Sequence, residues 1–298
     1  MNVWRIGRLI IAVLIGLGLA SVLATENALR IPERPRPQAG EADAVARETG
    51  STWQSVQVTA DDGAVMDAWF FTPRAPSGST VLLLHGVADT RTGMLVHADY
   101  LLRRGFAVLD PDLRGHGSSG GALTTYGIKE AADVRSWSDW VLENRPSDRW
   151  YGLGESLGAA ILLQSLRLEP RFRAVVAECP FATFDEVASD RMSQFSGVWR
   201  PAFWPLVHSG FLYARVRYGL DLRQASPAAA VRYTNVPILL IHGTSDTHIP
   251  LRHSRELHAL NPRATELWEV PGAEHVGALG TQPETYIRTV TEWFRSHP

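Results

Sequence analysis

The chain has 298 residues, 45% of them hydrophobic and 20% charged, with a formal net charge of −2. That length buries one large core or two modest ones, and so small a charge offers no positive field to a phosphate backbone, which excludes nucleic acid as a partner. The single cysteine, Cys179, excludes an intrachain disulfide; with no CxxC pair and no HExxH helix, nothing in the sequence asks for a metal ion or a cofactor.

Arg5 and Arg8 precede an uncharged run from Leu9 to Ala24 that ends in small residues. Basic flank, apolar stretch and small residues are the pattern of a secretory signal peptide or of an uncleaved transmembrane anchor over residues 1–24. Either one places the remainder on the extracytoplasmic side, anchored to the membrane or released as a secreted or periplasmic protein. Residues 25–50 are polar and carry Pro32, Pro35 and Pro37 among arginines, which predicts a disordered, extended linker. The globular part then occupies residues 51–298.

Trp53 to Ala60 and Ala64 to Thr72 read as two strands joined by the turn Asp61-Asp62-Gly63. Thr80 to His85 is a continuous apolar run ending in glycine, the pattern of a strand buried on both faces of a parallel sheet. A helix is predicted over His97 to Arg104, a buried strand over Phe106 to Leu109, and a helix within Tyr126 to Asn144. Trp150 to Leu153 is a short strand, and an apolar helix runs from Leu157 to Leu168. The alternation resumes with strands at Ala174 to Ala177, Val236 to Ile241 and Glu266 to Val270, and with helices at Arg252 to Leu260 and Tyr286 to Arg295. Such alternation predicts an α/β fold, a mostly parallel, doubly wound sheet covered on both faces.

Residues 181–227 break the alternation. This stretch holds Phe181, Phe184, Phe195, Trp199, Phe203, Trp204, Phe211, Tyr213 and Tyr218 with helical patches, and it reads as an inserted helical cap. A cap so rich in aromatic residues would make an apolar pocket and exclude water from whatever lies beneath it.

What lies beneath it is suggested by Gly154-Glu155-Ser156-Leu157-Gly158, set between a short apolar strand and an apolar helix. A serine hydroxyl becomes a nucleophile only when a base takes its proton and donors receive the oxyanion, and a tight strand-to-helix turn flanked by glycines presents it for that purpose. The partners should follow in the order acid, then histidine. Asp246, just after the strand Val236 to Ile241, and His275, after the last strand, hold those places at the carboxyl ends of parallel strands. Rivals exist for both. His116 precedes the serine, His85 and His242 end strands beside glycines, and His248 and His253 come before the last strand; Glu178 and Asp185 are alternative acids. Glu155 is an unusual charge beside the serine, either solvent-facing or paired with an arginine.

From about Val56 onward the chain resembles the α/β-hydrolase superfamily. Within it, the chain is similar to the small membrane-anchored serine hydrolases grouped with serine aminopeptidases and acyl-glycerol lipases. The segments that carry the resemblance are LLLHG (82–86), DLRGHGSS (112–119), GLGESLG (152–158), LLIHGTSD (239–246) and GAEH (272–275). The resemblance implies Ser156 as nucleophile, Asp246 as orienting acid, His275 as general base, and the backbone N–H groups of Val87 and Leu157 as the oxyanion hole. It implies no cofactor. The expected activity is hydrolysis of carboxylic esters or thioesters of apolar acyl groups, with a small-molecule or lipid acyl substrate and a membrane contact through the N-terminal segment. Two alternatives stand beside it: a serine exopeptidase, whose substrate amino terminus Glu155, Glu178 or Asp185 would bind, and a non-catalytic binding protein on the same fold.

Overall fold

A computed structural model describes residues 3–31, 35–196 and 204–298. Eight strands form one sheet: β1 (Thr52–Thr59), β2 (Val65–Thr72), β3 (Ser79–Leu84), β4 (Ala107–Pro111), β5 (Arg149–Glu155), β6 (Ala174–Glu178), β7 (Ile238–Gly243) and β8 (Thr265–Val270). Their order is β1-β2-β4-β3-β5-β6-β7-β8. The pairs β1/β2 and β2/β4 are antiparallel and the remaining pairs parallel, which is the mostly parallel sheet expected of the alternating pattern. Every residue of β3, β4, β6 and β7 is buried, so these strands carry no polar face.

Successive side chains of a strand point to opposite faces, and the cores divide accordingly. Leu82, Leu84, Leu109 and Ala177 belong to one core, together with Ala160, Ile161 and Leu163 from α5 (Leu157–Ser165) and Val134, Trp137 and Val141 from α4 (Glu130–Asn144). Val81, Leu83, Val108 and Val176 belong to the other. That second core is covered by Ala98 and Leu101 from α3 (Leu95–Leu102) and by Tyr286, Val290 and Phe294 from α11 (Pro283–Ser296). The short helices α8 (Pro227–Val231) and α10 (Ala278–Thr281) and the longer α9 (Arg252–Leu260) complete the connections.

The insertion after β6 holds α6 (Phe184–Ser196) and α7 (Trp204–Tyr218), in keeping with the helical cap predicted there. Phe181, Phe184 and Phe211 are buried, whereas Trp204 is exposed. Trp199 and Phe203, and the side chain of Phe195, lie outside the described residues.

The N-terminal region departs from expectation. Residues 25–50 do not form one extended linker: α1 (Val3–Leu29) runs through Ala24, and α2 (Ala39–Thr49) is a packed helix. Its sequence AGEADAVARET is rich in good helix formers, the Glu41 carboxylate accepts the Gln38 amide (2.8 Å), and Gly50 ends the helix at φ +68°. Ala42 is fully buried in the second core and Trp53 Nε1 donates to Asp43 (2.8 Å), so the helix is fixed by tertiary contacts that the nearby prolines concealed. Pro32 lies outside the described residues. Past Ala20, α1 turns polar with Ser21, Thr25 and Glu26 and packs on α7. Among the described residues no helix is long and apolar enough to cross a membrane, so a spanning anchor is not seen there.

Candidate active site

Strand β5 delivers Glu155 and then turns sharply into α5, with Ser156 at φ 52° and ψ −111°. Such angles are costly for a residue with a side chain, and they persist only where the surroundings over-determine them. Here they do. A Cβ on Gly154 would meet Gly158 and Ala159 backbone atoms at 2.6 to 2.7 Å, and one on Gly158 would lie 2.0 Å from the Leu84 carbonyl oxygen. Strand, turn and helix therefore close on one another only with glycine at both places. Ala88, Cys179 and Val276, all near the ends of the parallel strands, also have positive φ.

Ser156, Asp246 and His275 come together although they lie far apart in the chain. Nε2 of His275 is 2.9 Å from Ser156 Oγ, and its Nδ1 is 2.7 Å from Asp246 Oδ2. With Nδ1–H donating to the carboxylate, Nε2 is left to accept the serine hydroxyl. Burial opposes charge on Asp246, but hydrogen bonds from His242 and His275 and the Ile249 amide (2.9 Å) outweigh it and hold the carboxyl far below the usual range. Asp246 is thus an anion at any ordinary pH.

Val87 and Leu157 both line the cavity in front of Ser156, and Leu157 is the first residue of α5, where backbone N–H groups point outward without intrahelical acceptors. The loop bearing Val87 is held from behind. Nδ1–H of His116 donates to the Arg114 carbonyl (2.9 Å), leaving its Nε2 to accept the Ala88 amide (3.3 Å). His85 donates from Nδ1 to Gly86 O (2.7 Å) and accepts the Leu113 amide at Nε2 (3.0 Å). Burial and the neighbouring His116 push His85 down to about 4, so it stays neutral. His242 bonds Ser254 and the Ile249 carbonyl; His253 accepts the Ala182 amide and contacts Asp190; the ring of His248 packs edge-on against His275. Of the rival histidines, none of these hydrogen-bonds Ser156.

The rival acids are elsewhere too. Asp185 approaches His208 (3.7 Å), and Glu178 lies behind the serine turn, where its Oε1 accepts the Ala278 amide (3.1 Å). Glu155 is neither solvent-facing nor paired with an arginine, contrary to both expectations from the sequence. It stands opposite Glu178 in the β5/β6 register, and His97 Nε2 lies 3.3 Å from its Oε1. Burial, reinforced by Glu178, pushes the Glu155 carboxyl well up, and burial pushes His97 down to about 3. Both shifts favour the uncharged forms, so burial works against an ion pair at this contact. The sequence hid this pairing because parallel register joins residues that are remote along the chain.

Two groups of three possible metal ligands fall within 4.8 Å of one another among the described residues: Cys179, His242 and Asp246, and His97, Glu155 and Glu178. In the first, Asp246 is already engaged by two histidines, and burial holds the Cys179 thiol protonated.

In front of Ser156 and His275 lies a cavity of about 660 Å³, walled by Phe181, Phe184, Val187, Leu206, Val207 and Phe211 among others. That volume suits one small organic ligand, and the lining is mainly aliphatic and aromatic.

The family model for serine aminopeptidase, S33, matches residues 75–209. A Bacillus subtilis protein, YqkD, is 31% identical over 221 residues, which span 72% of this chain and 70% of that one. The chain belongs to the α/β-hydrolase superfamily. A solved structure similar to it is an esterase from Pyrococcus furiosus, with a TM-score of 0.71 and 24% identity over 89% of this chain and 97% of that one. Another relative is the lysophosphatidylserine lipase ABHD12 of Macaca fascicularis, 27% identical over 64% of this chain and 48% of the lipase. This α/β-hydrolase superfamily member is accordingly a hydrolase.

Proposed function

We propose that the chain is a serine hydrolase that cleaves carboxylic esters or thioesters of apolar acyl groups. The observation that carries the reading is the hydrogen-bonded chain Ser156 Oγ, His275 Nε2, His275 Nδ1, Asp246 Oδ2 opening into an aromatic-lined cavity. His275 takes the Ser156 proton as the oxygen attacks the acyl carbonyl, and Asp246 steadies the imidazolium. The Val87 and Leu157 amides receive the oxyanion, a contribution of about 3 kcal/mol per donor. The leaving group departs with the proton from His275. Water then attacks the acyl-serine by the same route and frees the acid. The lipase among the relatives supports an acyl substrate of this kind.

Apolar lining favours the ester over the exopeptidase reading. Of the acids expected to bind a substrate ammonium, Glu155 borders the cavity but burial disfavours its charged form, and Glu178 lies behind it. The test has two arms. A fluorophosphonate probe should label the wild type and not Ser156→Ala; absence of label from both would end the serine-hydrolase reading. Across p-nitrophenyl esters, kcat/KM should rise about fourfold per added methylene, the equivalent of ~0.8 kcal/mol of burial, until the cavity is full. A preference for acetate over octanoate, or for an aminoacyl-arylamide over the matched ester, would overturn the substrate class.

A further inference from the structure

Four residues of α1, Ser21, Ala24, Thr25 and Ala28, line the same cavity as Ser156 and His275. Their spacing of three and four places them on one face of the helix. The helix is not loosely laid there. A Cβ on Gly210 of α7 would stand 2.5 Å from Thr25 Oγ1 and 3.2 Å from Ser21 Oγ, so the two helices approach as closely as a glycine permits. Ser21 Oγ donates to the Leu206 carbonyl (2.9 Å) and accepts from Ser209 Oγ (2.8 Å).

Further contacts, at Glu26, Ala28 and Leu29, fix the end of the helix. The hydroxyls of Tyr213 (2.7 Å) and Tyr218 (2.5 Å) donate to Glu26 Oε1. With Arg30 they hold that carboxyl down at about 2, Tyr218 contributing most. The Leu29 side chain is fully buried in the core, and its carbonyl accepts the Thr124 amide (2.9 Å). Tyr126 donates its hydroxyl to the Ala28 carbonyl (2.7 Å), and its ring packs at a tilt, centroids 4.0 Å apart, against Phe184, which also lines the cavity.

We infer that the last turns of α1, from Ser21 to Leu29, form a wall of the substrate cavity, that Ala24 and Ala28 set the length of acyl chain it admits, and that the helix therefore stays on the mature protein. A cut after Ala24, where the signal-like pattern would place it, removes Ser21 and Ala24 from the lining and both Ser21 hydrogen bonds to the cap. Two alanines leave room where larger residues would fill it. The acyl part of this inference rests on the proposed hydrolysis; the wall itself does not.

The test uses the full chain with tryptophan at Ala24, at Ala28, or at the exposed Ala20, which is outside the cavity lining. Binding of cis-parinarate, a fluorescent long-chain fatty acid, needs no turnover. Its Kd should rise about tenfold or more in Ala24→Trp and Ala28→Trp and stay within about twofold in Ala20→Trp. Esters supply the second readout: Ala24→Trp should lower kcat/KM for laurate at least about tenfold more than for acetate, whereas a misfolded variant would lose both alike. The intact mass of the protein recovered from an exporting host should include α1. Equal binding by all three variants, no binding by the wild type, or a mature chain beginning at Thr25 would each overturn the inference. A wild type that binds the probe through Ala24 and Ala28 yet cleaves no ester would leave the wall standing and defeat the hydrolase reading.

Discussion

Glu155 and Glu178 stand opposite each other in register on β5 and β6, immediately behind the turn that carries Ser156. Glu178 is buried and Glu155 mostly so, and burial raises both carboxyls above their ordinary value of 4.5, Glu155 far above it. The sign of the effect on stability follows. Above pH 4.5 the unfolded chain gives up protons that the folded chain retains, so folding stability falls as pH rises until the buried carboxyls ionise too. Glu155→Gln keeps the shape and a donor but cannot ionise. Its melting temperature should match the wild type near pH 4.5 and exceed it increasingly towards pH 8, by a few degrees for each ~1 kcal/mol relieved. A variant less stable than wild type by the same amount at every pH would show Glu155 to be a charged partner of His97.

The sequence announced the sheet because its central strands are buried on both faces. Runs such as TVLLL and AVVAE contain almost nothing that could face water, and their shortness and β-branched content set them apart from the equally buried helix α5. Ser156, Asp246 and His275 were legible by their order and by the strands they follow. Three features were not. Helix α2 was masked by prolines that precede it, although Glu41 and Gly50 are present as start and stop signals. The Glu155–Glu178 pair depends on strand register, and the joint of α1 with α7 depends on tertiary packing at Gly210. Neither leaves a local periodicity to read.

Arg91 and Asp112 form the buried ion pair beneath the loop that carries Val87. Asp112 accepts the Arg91 guanidinium (2.7 Å), the Arg91 amide (2.9 Å) and the Ser118 amide (2.7 Å), and Arg91 also meets Asp67 (2.7 Å). Arg91 is 1% exposed and Asp112 not at all. Asp112→Ala strips a fully buried cation of its main partner, a loss of about 3–5 kcal/mol. Urea denaturation should show the midpoint falling accordingly; a shift under about 1 kcal/mol would mean that Asp67 alone satisfies Arg91.

His116 supports the site without touching Ser156, whereas His275 contacts it directly. Replacing each by glutamine should separate the two roles. His275→Gln should lower kcat by about 10⁴ or more, because the proton has nowhere to go. His116→Gln removes a ring acceptor from the Ala88 amide and should cost about tenfold or less, through the position of Val87. Comparable losses in the two variants, with both proteins folded by circular dichroism, would make His116 a participant in proton transfer.

Gly158 and Gly86 offer a contrast between two glycines at one site. The Cβ of an alanine at 158 would lie 2.0 Å from Leu84 O and 2.6 Å from His85 O, atoms of a central strand with no room to withdraw. At Gly86 the nearest atom is Ser156 Cβ at 3.6 Å, an ordinary contact. Overpacking into backbone costs about 1–3 kcal/mol and more where nothing relaxes, so Gly158→Ala should lower the melting temperature by at least ~6 °C. Gly86→Ala should melt within about 2 °C of wild type, since nothing is compressed. Its added methyl nevertheless touches the serine, so its effect should appear in kcat for bulky esters. Equal melting temperatures for the two variants would show that the β5–α5 turn can open to admit a side chain, and that the strain at Ser156 is not imposed by its packing.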